Sequence, residues 1–268
     1  MADSIRESRG NRIRLVFAYD GAGFHGFARQ DGLRTVQATL EETLTRMLST
    51  PIEVHGSGRT DKGVHARAQV VHFDLPYGPP AERMVYVLRR RLPADVIPLW
   101  ADRVDTGFHA RFSVVRKTYR YLLYRGATPN LFLYRFSWRV PGVLAVEAMR
   151  EAAAHLLGTH DFTSFCASAT PQEDKVRSLY RIDFVESPNR LAIEVEGSGF
   201  LQYMVRIIVG TLVKVGQGRE RADRIPAILA AKDRRLAGET APPHGLCLWN
   251  VEYPPEYGGK VVDPEADL

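Results

Sequence analysis

The segment HGSGRTDKGVHARAQVVHFD, residues 55–74, places Asp61 between two cations in a glycine-rich stretch. Asp61 lies two positions after Arg59 and directly before Lys62. Neighbouring cations favour the ionised form of a carboxylate, and an ionised aspartate can act as a nucleophile or as a general base. Glycines let the backbone adopt unusual dihedral angles and let a bulky substrate approach closely. Asp61 is therefore a candidate catalytic residue.

A charged turn accounts for the same residues without any chemistry. In that interpretation Asp61 caps backbone N–H groups in a hairpin turn, and the flanking cations are solvated. On residue types alone, the turn is the favoured interpretation. A phosphate-binding P-loop is excluded, because Val64 and His65 follow Gly63 where that motif requires Lys and then Ser or Thr.

The spacing of histidines and cysteines does not indicate a metal site. Neither His65 with His72 nor His155 with His160 has a spacing that places two ligands on adjacent turns of a helix. The two cysteines of the chain lie far apart and form neither a CxxC motif nor a disulfide framework. We therefore expect no metal.

The composition is that of an ordinary globular chain with a basic surplus. Of its 268 residues, 45% are hydrophobic and 25% are charged, which is typical of soluble proteins. No apolar run approaches the roughly 20 residues that span a bilayer, and the polar N-terminus shows no signal peptide. The net charge of +5 is spread over both halves, so a polyanion would bind a folded surface. With its separated cysteines, the chain is expected in the cytoplasm, with reduced thiols.

Hydrophobic spacing predicts the elements that must position these residues. Val36, Leu40, Leu44 and Leu48 recur at helical spacing, with Thr35 as the predicted N-cap. The first half is predicted to contain a strand, this helix, a strand, a second helix and an extended segment, at residues 13–21, 35–48, 68–75, 82–92 and 96–104.

The second half is predicted to repeat this order, although no repeat is visible residue by residue. A strand is followed by a helix that stops at Gly158, two antiparallel strands joined near Pro188–Asn189, an apolar helix, a short helix and a closing strand. Their residues are 117–126, 145–158, 178–187, 190–200, 201–218, 225–233 and 245–254. This order indicates an α+β fold whose antiparallel sheets carry helices on one face.

The boundary between the two halves is predicted near residues 106–116. It divides the chain into an N-terminal domain, 11–112, which carries Asp61, and a C-terminal domain, 113–255. A cleft between two such halves would be a natural binding site. The two ends, 1–10 and 256–268, are polar or contain Pro and Gly, and are expected to be flexible.

Aromatic residues alternate with cations in the segment FHARFSVVRKTYRYLLY, residues 108–124. Rings can stack on unpaired bases while cations meet phosphates, a combination that suits RNA. A half-buried strand with an aromatic inner face explains the same pattern at least as well. The aromatic residues concerned are Phe108, Phe112, Tyr119, Tyr121 and Tyr124.

Arg206 interrupts the apolar run predicted as the helix 201–218. A buried arginine needs an anionic partner, because leaving it unpaired costs several kcal/mol. Asp61 is one candidate for that partner, and another Asp or Glu is the alternative. Spacing in the sequence does not choose between them.

Several segments together resemble the tRNA pseudouridine synthase A (TruA) family. The matching pieces occur in family order across residues 12–253: GRTDKGVHA, TVQATLEETL, HARFS with KTYRYLL, DFTSF, GSGFLQYMVRIIVGTL and HGLCLWNVEY. GRTDKGVHA by itself is highly specific for this family. One departure is GFHGFARQ, where Phe27 and Ala28 stand in place of the family's tryptophan and glutamine. We expect this departure to lie away from the catalytic motif.

The resemblance implies roles for five residues. Asp61 matches the catalytic aspartate, and Tyr119 matches the aromatic residue that stacks on the target uracil. Arg59 and Arg206 match arginines of the active site, with Arg206 as the ion-pair partner of Asp61. Leu246 matches an apolar residue that lines the base pocket. The implied fold has two ferredoxin-like, RRM-like halves around a basic active-site cleft.

The resemblance also implies a reaction and its partners. The family isomerises uridine to pseudouridine at positions 38, 39 and 40 of the tRNA anticodon stem-loop. It acts as a homodimer, without cofactor, metal or membrane. The resemblance does not settle whether Asp61 attacks the ribose C1′ or removes a ribose proton. The alternatives are a non-catalytic RNA-binding module and a base-excising hydrolase; the Asp61 motif argues against the first, because a carboxylate facing phosphates does not help binding.

Overall fold

The computed structural model describes residues 11–259 and 261. Contacts divide the chain into two units: the first runs up to Val115 and resumes at Leu248, and the second comprises Arg116–Cys247. The predicted domains, 11–112 and 113–255, differ from these units in their last segment, because the chain from Leu248 groups with the first unit. As independently folding domains, the two halves stay a prediction.

The first unit is built on antiparallel strands with two helices. In chain order its elements are β1 (Arg12–Tyr19), α1 (Val36–Leu48), β2 (His55–Gly56), β3 (His65–Asp74), α2 (Ala81–Arg89) and β4 (Val96–Arg103). β1 is central, since it pairs antiparallel with β3 on one side and with β4 on the other. Val16, fully buried, faces Val70 in one neighbour and Trp100 in the other. β2 adds a short pairing to β3 at His55 and His72.

The two helices of this unit begin within one residue of the predicted positions, and α2 ends earlier than predicted. α1 is capped by Thr35, whose hydroxyl accepts a hydrogen bond from the Ala38 amide at 3.4 Å. Leu40 and Leu44 on its inner face are fully buried. α2 ends at Arg89, earlier than the predicted 92, and packs against β4. The predicted strands and helices of this half are therefore confirmed, with ends that differ by up to three residues; β3, for example, begins at His65 instead of residue 68.

The second unit repeats the alternation of strands and helices. Its elements are β5 (Arg116–Tyr124), β6 (Trp138–Arg139), α3 (Val146–Ala154), β7 (Gly158–Asp161), β8 (Val176–Ser187), β9 (Arg190–Gly197), α4 (Met204–Gly216) and α5 (Ile225–Ala231). β5, β9, β8 and β7 are neighbours in that order and pair antiparallel. The predicted β8–β9 hairpin is confirmed; Asn189 in its turn has φ +59°, a conformation that Asn tolerates better than most residues.

Several helix boundaries in this unit differ from the prediction. α3 ends at Ala154 instead of Gly158, because Gly158, with φ +95°, instead opens β7 and pairs with Leu179. α4 begins at Met204 instead of residue 201. Its C-terminal Gly216 allows close contact with α3, since a Cβ there would lie 2.6 Å from the Met149 sulfur.

The last strand returns to the first unit. β10 (Leu246–Glu252) lies beside β3. The chain after it packs against the unit: the Arg14 guanidinium donates to the Tyr257 carbonyl at 2.6 Å, and the Val261 amide donates to the Val251 carbonyl at 3.2 Å. The flexibility of the end from residue 256 stays a prediction. Residues 1–10, 260 and 262–268 lie outside the described residues.

The architecture confirms the predicted α+β class. The pairings among β1, β2, β3 and β4 and among β5, β7, β8 and β9 that are described above are antiparallel, and the short β5–β6 pair is parallel. In the part of the chain that the structure describes, no helix is long and apolar enough to cross a membrane.

Candidate active site

Asp61 lies on the loop 57–64, between β2 and β3 of the first unit. The amide of Val64 donates to the Asp61 carbonyl at 3.1 Å and closes a tight turn. Gly63 in this turn has φ +78°, a left-handed conformation that glycine adopts at little cost. Asp61 is half-buried, while Arg59 and Lys62 are exposed. The loop therefore keeps Arg59 and Asp61 together, as the sequence motif predicts.

Buried hydrogen bonds fix the start of this loop to β3. The Ser57 hydroxyl donates to the Gln69 side-chain carbonyl at 2.7 Å, and the Gln69 amide group donates to the Gly58 carbonyl at 3.1 Å. Both Ser57 and Gln69 are fully buried. Because buried polar groups that lose their partner cost about 1–3 kcal/mol, these bonds hold the loop in one conformation.

The residue before Asp61 is fixed from β1 and from the segment that follows it. The Tyr19 hydroxyl lies 2.7 Å from the Thr60 hydroxyl oxygen, and both residues are buried. The Phe27 amide donates to the Thr60 carbonyl at 3.1 Å. A Cβ on Gly26 would lie 2.8 Å from that same carbonyl oxygen, so the two segments pack with no space between them.

The departure at Phe27 lies against the candidate catalytic loop, which corrects the expectation that it lies away from it. Besides its amide bond to Thr60, the Phe27 ring packs directly on Gly56, at the residue before the loop. Phe27 is 3% exposed. Phe27 therefore packs against the segments on the N-terminal side of Asp61, at Gly56 and Thr60. Nothing in the structure explains Ala28.

Tyr119 lies on β5 of the second unit. It faces Val195 on β9, and its ring meets that of Phe200 edge to face, with 5.1 Å between the centroids and 86° between the planes. Tyr119 is 7% exposed. This contact fixes the orientation of the ring.

Arg206 lies in the first turn of α4, which corrects the expectation of an arginine in the helix interior. It is half-buried, and its Nε donates to the Ala241 carbonyl at 2.7 Å. Its guanidinium carbon lies 4.9 Å from the centre of the Tyr203 ring. Tyr203, just before the helix, has φ +63°. A bulky residue in this region is strained, and such strain is concentrated at functional sites.

Leu246 directly follows Gly245, at which the chain packs closely against Tyr121 of β5. A Cβ on Gly245 would lie 2.6 Å from the Tyr121 ring, so only glycine fits there without a shift. The Tyr121 hydroxyl donates to the Pro242 carbonyl at 2.8 Å. These contacts place Leu246, which is 4% exposed, at the start of β10.

The segment 241–246 lies near Arg206, because the Ala241 amide donates to the Arg206 carbonyl at 3.1 Å and the Ala241 carbonyl accepts from Arg206 Nε. Burial raises the pKa of the Tyr121 hydroxyl well above its usual range, and the charge of Arg206 opposes that shift. Burial also lowers the pKa of His244, and the charge of Arg206 lowers it further. The second unit thus brings Arg206 and the segment that leads to Leu246 together.

The predicted site residues are divided between the two units. Arg59 and Asp61 belong to the first, and Tyr119, Arg206 and Leu246 belong to the second. The pairing of Asp61 with Arg206 stays a prediction. Within the described residues no group of three or more His, Cys, Asp or Glu side chains could hold a metal ion.

Sequence reasoning missed two residues that shape these sites. Tyr19 reaches Thr60 across 41 positions of sequence, and the local pattern around it indicates only a strand. Tyr203 was assigned to the interior of a helix, and no local signal marks its positive φ. Only contacts between distant segments reveal the first, and only backbone geometry reveals the second.

Comparisons with known proteins match most of the chain to one family. The model described as tRNA pseudouridine synthase matches residues 15–113 and 152–254. The tRNA pseudouridine synthase A of Bacillus subtilis (strain 168) is 49% identical over 244 residues, which cover 90% of this chain and 99% of that protein. The protein of the same name from Geobacillus kaustophilus (strain HTA426) is 47% identical over 246 residues, covering 91% and 95%.

A solved structure overlaps only weakly. A chain of a Cbf5–Nop10–Gar1 complex aligns with a TM-score of 0.33 and 13% identity, covering 66% of this chain and 40% of that one; an overlap at this level supports no conclusion. The family match and the two bacterial relatives confirm the resemblance found in the sequence motifs, and the chain belongs to the tRNA pseudouridine synthase family.

Proposed function

We propose that this protein isomerises uridine to pseudouridine in the anticodon stem-loop of tRNA, at positions 38, 39 and 40, with Asp61 as the catalytic carboxylate. The observation that carries the proposal is the loop 57–64. It holds Asp61 half-buried next to Arg59, and buried hydrogen bonds fix it on both sides. A surface turn without a function has no need of such restraint. The family match supports the substrate class.

The reaction requires a positioned carboxylate and a way to hold charge. The bond from ribose C1′ to uracil N1 breaks, the base rotates, and C1′ bonds to C5 with loss of the C5 proton. Asp61 either attacks C1′, and is later displaced, or removes a ribose proton and returns it. In both routes the detached base is an anion, and cations placed where charge develops stabilise it. Arg59 and Arg206 are the proposed cations.

The target base must leave its stack before it can react. Flipping a base costs a few kcal/mol, and stacking on an aromatic ring recovers about 1–3 kcal/mol per base. Tyr119 is the proposed stacking ring, held by its edge contact with Phe200. Leu246 is the proposed apolar wall of the uracil pocket. The isomerisation consumes no second substrate, so the proposal includes no cofactor and no metal.

The proposal extends to the assembly and location of the protein. We propose that it acts as a homodimer in the cytoplasm, where its tRNA substrate is found. Sedimentation of the purified protein at micromolar concentration tests the first point, since a homodimer has about twice the chain mass of 30.1 kDa.

Release of tritium from tRNA that carries 5-tritiated uridine tests the assignment of Asp61. Asp61→Asn removes the charge but keeps the shape, so turnover should fall by at least about 1,000-fold while the Kd for tRNA changes less than about threefold. Asp31→Asn, an exposed substitution in the same unit, serves as the control and should keep full turnover. Substantial turnover by Asp61→Asn would remove Asp61 from the catalytic role.

Analysis of the product separates the proposal from its alternatives. Pseudouridine in the digested tRNA supports isomerisation. An abasic nucleotide would indicate a base-excising hydrolase, and unchanged tRNA bound with high affinity would indicate a binding module. Substrates with uridine at only one of positions 38, 39 and 40 test the range of sites.

A further inference from the structure

One aromatic side chain of the segment 108–124 is prominently exposed. Phe108 and Tyr121 are 0% exposed and Tyr119 is 7% exposed. Tyr119 and Tyr121 lie on β5, so the buried-strand interpretation holds for these two, whereas Phe108 is buried in the segment before the strand. Phe112 instead is 77% exposed. An isolated apolar side chain on a surface needs no explanation, so the surroundings of Phe112 decide whether this exposure has a meaning.

Three histidine rings support Phe112 from inside the first unit. The centroid of Phe112 lies 4.4 Å from that of His109, and the His109 centroid lies 4.5 Å from that of His72. His72 and His55 are stacked at 4.9 Å, with 22° between their planes. The four rings form a continuous aromatic group, which we call the histidine column, and Phe112 is its exposed outer ring.

Backbone hydrogen bonds hold the His109 and His72 rings in an uncharged state. The amides of Arg111 and Phe112 donate to Nδ1 of His109 at 3.1 and 3.4 Å, and the Ala110 amide donates to Nδ1 of His72 at 3.1 Å. A ring nitrogen that accepts a hydrogen bond carries no proton. In agreement, burial lowers the pKa of both rings. His72 and His109 are therefore uncharged at neutral pH, and they lie one after the other beneath the exposed Phe112 ring.

A cation accompanies the exposed ring. The Arg111 guanidinium carbon lies 5.7 Å from the centre of the Phe112 ring, and Arg111 is exposed. Among residues 11–259 and 261, Arg111 forms no ion pair. An exposed ring with a guanidinium lying over it supplies the two groups that bind a nucleotide, because bases stack on aromatic faces and guanidinium groups bind phosphate.

We propose that Phe112 and Arg111 form a stacking site for one unpaired nucleotide of the RNA substrate, separate from the uridine that reacts. Phe112 takes the base, and Arg111 takes the phosphate next to it. The histidine column reduces the entropy lost on binding because the ring is already immobilised. The inference rests on the proposed function in one respect, namely that the ligand is RNA.

Equilibrium binding of an unmodified tRNA transcript to the full-length protein tests the site. Phe112→Ala should raise the Kd about tenfold, which corresponds to about 1.4 kcal/mol and lies within the range for stacking on one base. Phe112→Trp should keep the Kd within about twofold, because any flat ring can stack. Arg111→Ala should raise the Kd and reduce the slope of log Kd against log salt by about 1, whereas Phe112→Ala should leave that slope unchanged.

Tyr86→Ala is the matched control. Tyr86 is 60% exposed on the same unit, and the Arg90 guanidinium carbon lies 4.8 Å from its ring. Tyr86 and Arg90 therefore match Phe112 and Arg111 in chemistry but are not part of the histidine column. Tyr86→Ala should leave the Kd for tRNA unchanged. Thermal unfolding of each variant checks that the fold is retained.

Three results would overturn the inference. The first is a Kd for tRNA that is unchanged in Phe112→Ala. The second is an equal loss of tRNA affinity in Phe112→Ala and Tyr86→Ala. The third is a changed molar mass of Phe112→Ala with an unchanged Kd, because that result would identify a surface that binds protein. The proposed function fails separately, if the wild-type protein forms no pseudouridine, since tRNA affinity is measured independently of turnover.

Discussion

The hydroxyl groups of Tyr19 and Thr60 lie 2.7 Å apart in the interior of the first unit. Thr60 precedes the candidate catalytic Asp61 directly, and Tyr19 is the last residue of β1. The bond therefore links a central strand of the sheet to the candidate catalytic loop through the Thr60 side chain. A site that requires a fixed carboxylate gains from such a link, because small displacements of a reacting group cost much in rate.

Removal of this single hydroxyl should affect turnover more than binding. Tyr19→Phe keeps the ring, leaves the Thr60 hydroxyl without this partner, and is expected to lower kcat about tenfold with an unchanged KM for tRNA. The unfolding free energy should fall by about 1 kcal/mol. Tritium release at several tRNA concentrations and chemical denaturation measure the two effects.

Tyr253→Phe is the control for that variant. The Tyr253 hydroxyl donates to the Ala110 carbonyl at 2.7 Å and Tyr253 is 1% exposed, so it loses a bond of equal length in the same unit. It should show the same loss of stability with a normal kcat. Equal kcat values in the two variants would show that the Tyr19 hydroxyl serves the fold alone.

Alanine substitutions at two glycines distinguish the effect of backbone strain from the effect of contact with the candidate catalytic loop. Gly26 and Gly32 both have positive φ, +93° and +71°, so alanine at either position costs about 1–2 kcal/mol of stability. A Cβ at Gly26 meets the Thr60 carbonyl oxygen at 2.8 Å, whereas one at Gly32 meets nothing within 4 Å. Gly26→Ala should therefore lower kcat about tenfold or more by displacing the loop, and Gly32→Ala should not. Similar kcat values for the two variants would contradict this packing argument.

The histidine column predicts how stability depends on pH. Burial lowers the pKa of His72 to about 4; the charges of His109, Arg12 and His55 lower it further and that of Asp74 opposes the shift. The unfolded chain, with a histidine pKa of about 6.5, binds more protons than the folded chain between those values. The contribution of His72 to the free energy of unfolding is therefore fully present above about pH 6.5. It falls by at most about 3 kcal/mol as the pH decreases toward 4.

Thermal unfolding between pH 4 and pH 8 measures this loss. The wild-type protein should lose stability below pH 6.5, and His72→Gln should show a flatter profile over the same range, although it is less stable at pH 8. His155→Gln, at an exposed position, should reproduce the wild-type profile. A His72→Gln profile as steep as that of the wild type would assign the loss to other groups.

Local patterns accounted for most elements of the fold and for the position of Asp61. The apolar spacing of α1, the Thr35 cap and the turn at Asn189 are properties of short segments, so they can be recognised without tertiary contacts. The GRTDKGVHA motif is also local, and it identified the family. Helix ends were less well predicted: α3 ends at Ala154, because Gly158 is used by a strand instead.

Tertiary contacts decided what surrounds those elements. The sequence by itself determined the order of strands and helices, the family and the five candidate residues, since each depends on neighbours in the chain. Only the structure placed Phe27 behind the catalytic loop, returned the chain from Leu248 to the first unit, and distinguished the exposed ring of Phe112 from the buried Phe108. Burial and hydrogen bonds between residues far apart in sequence depend on how the elements pack, and a local pattern of residue types does not specify that packing.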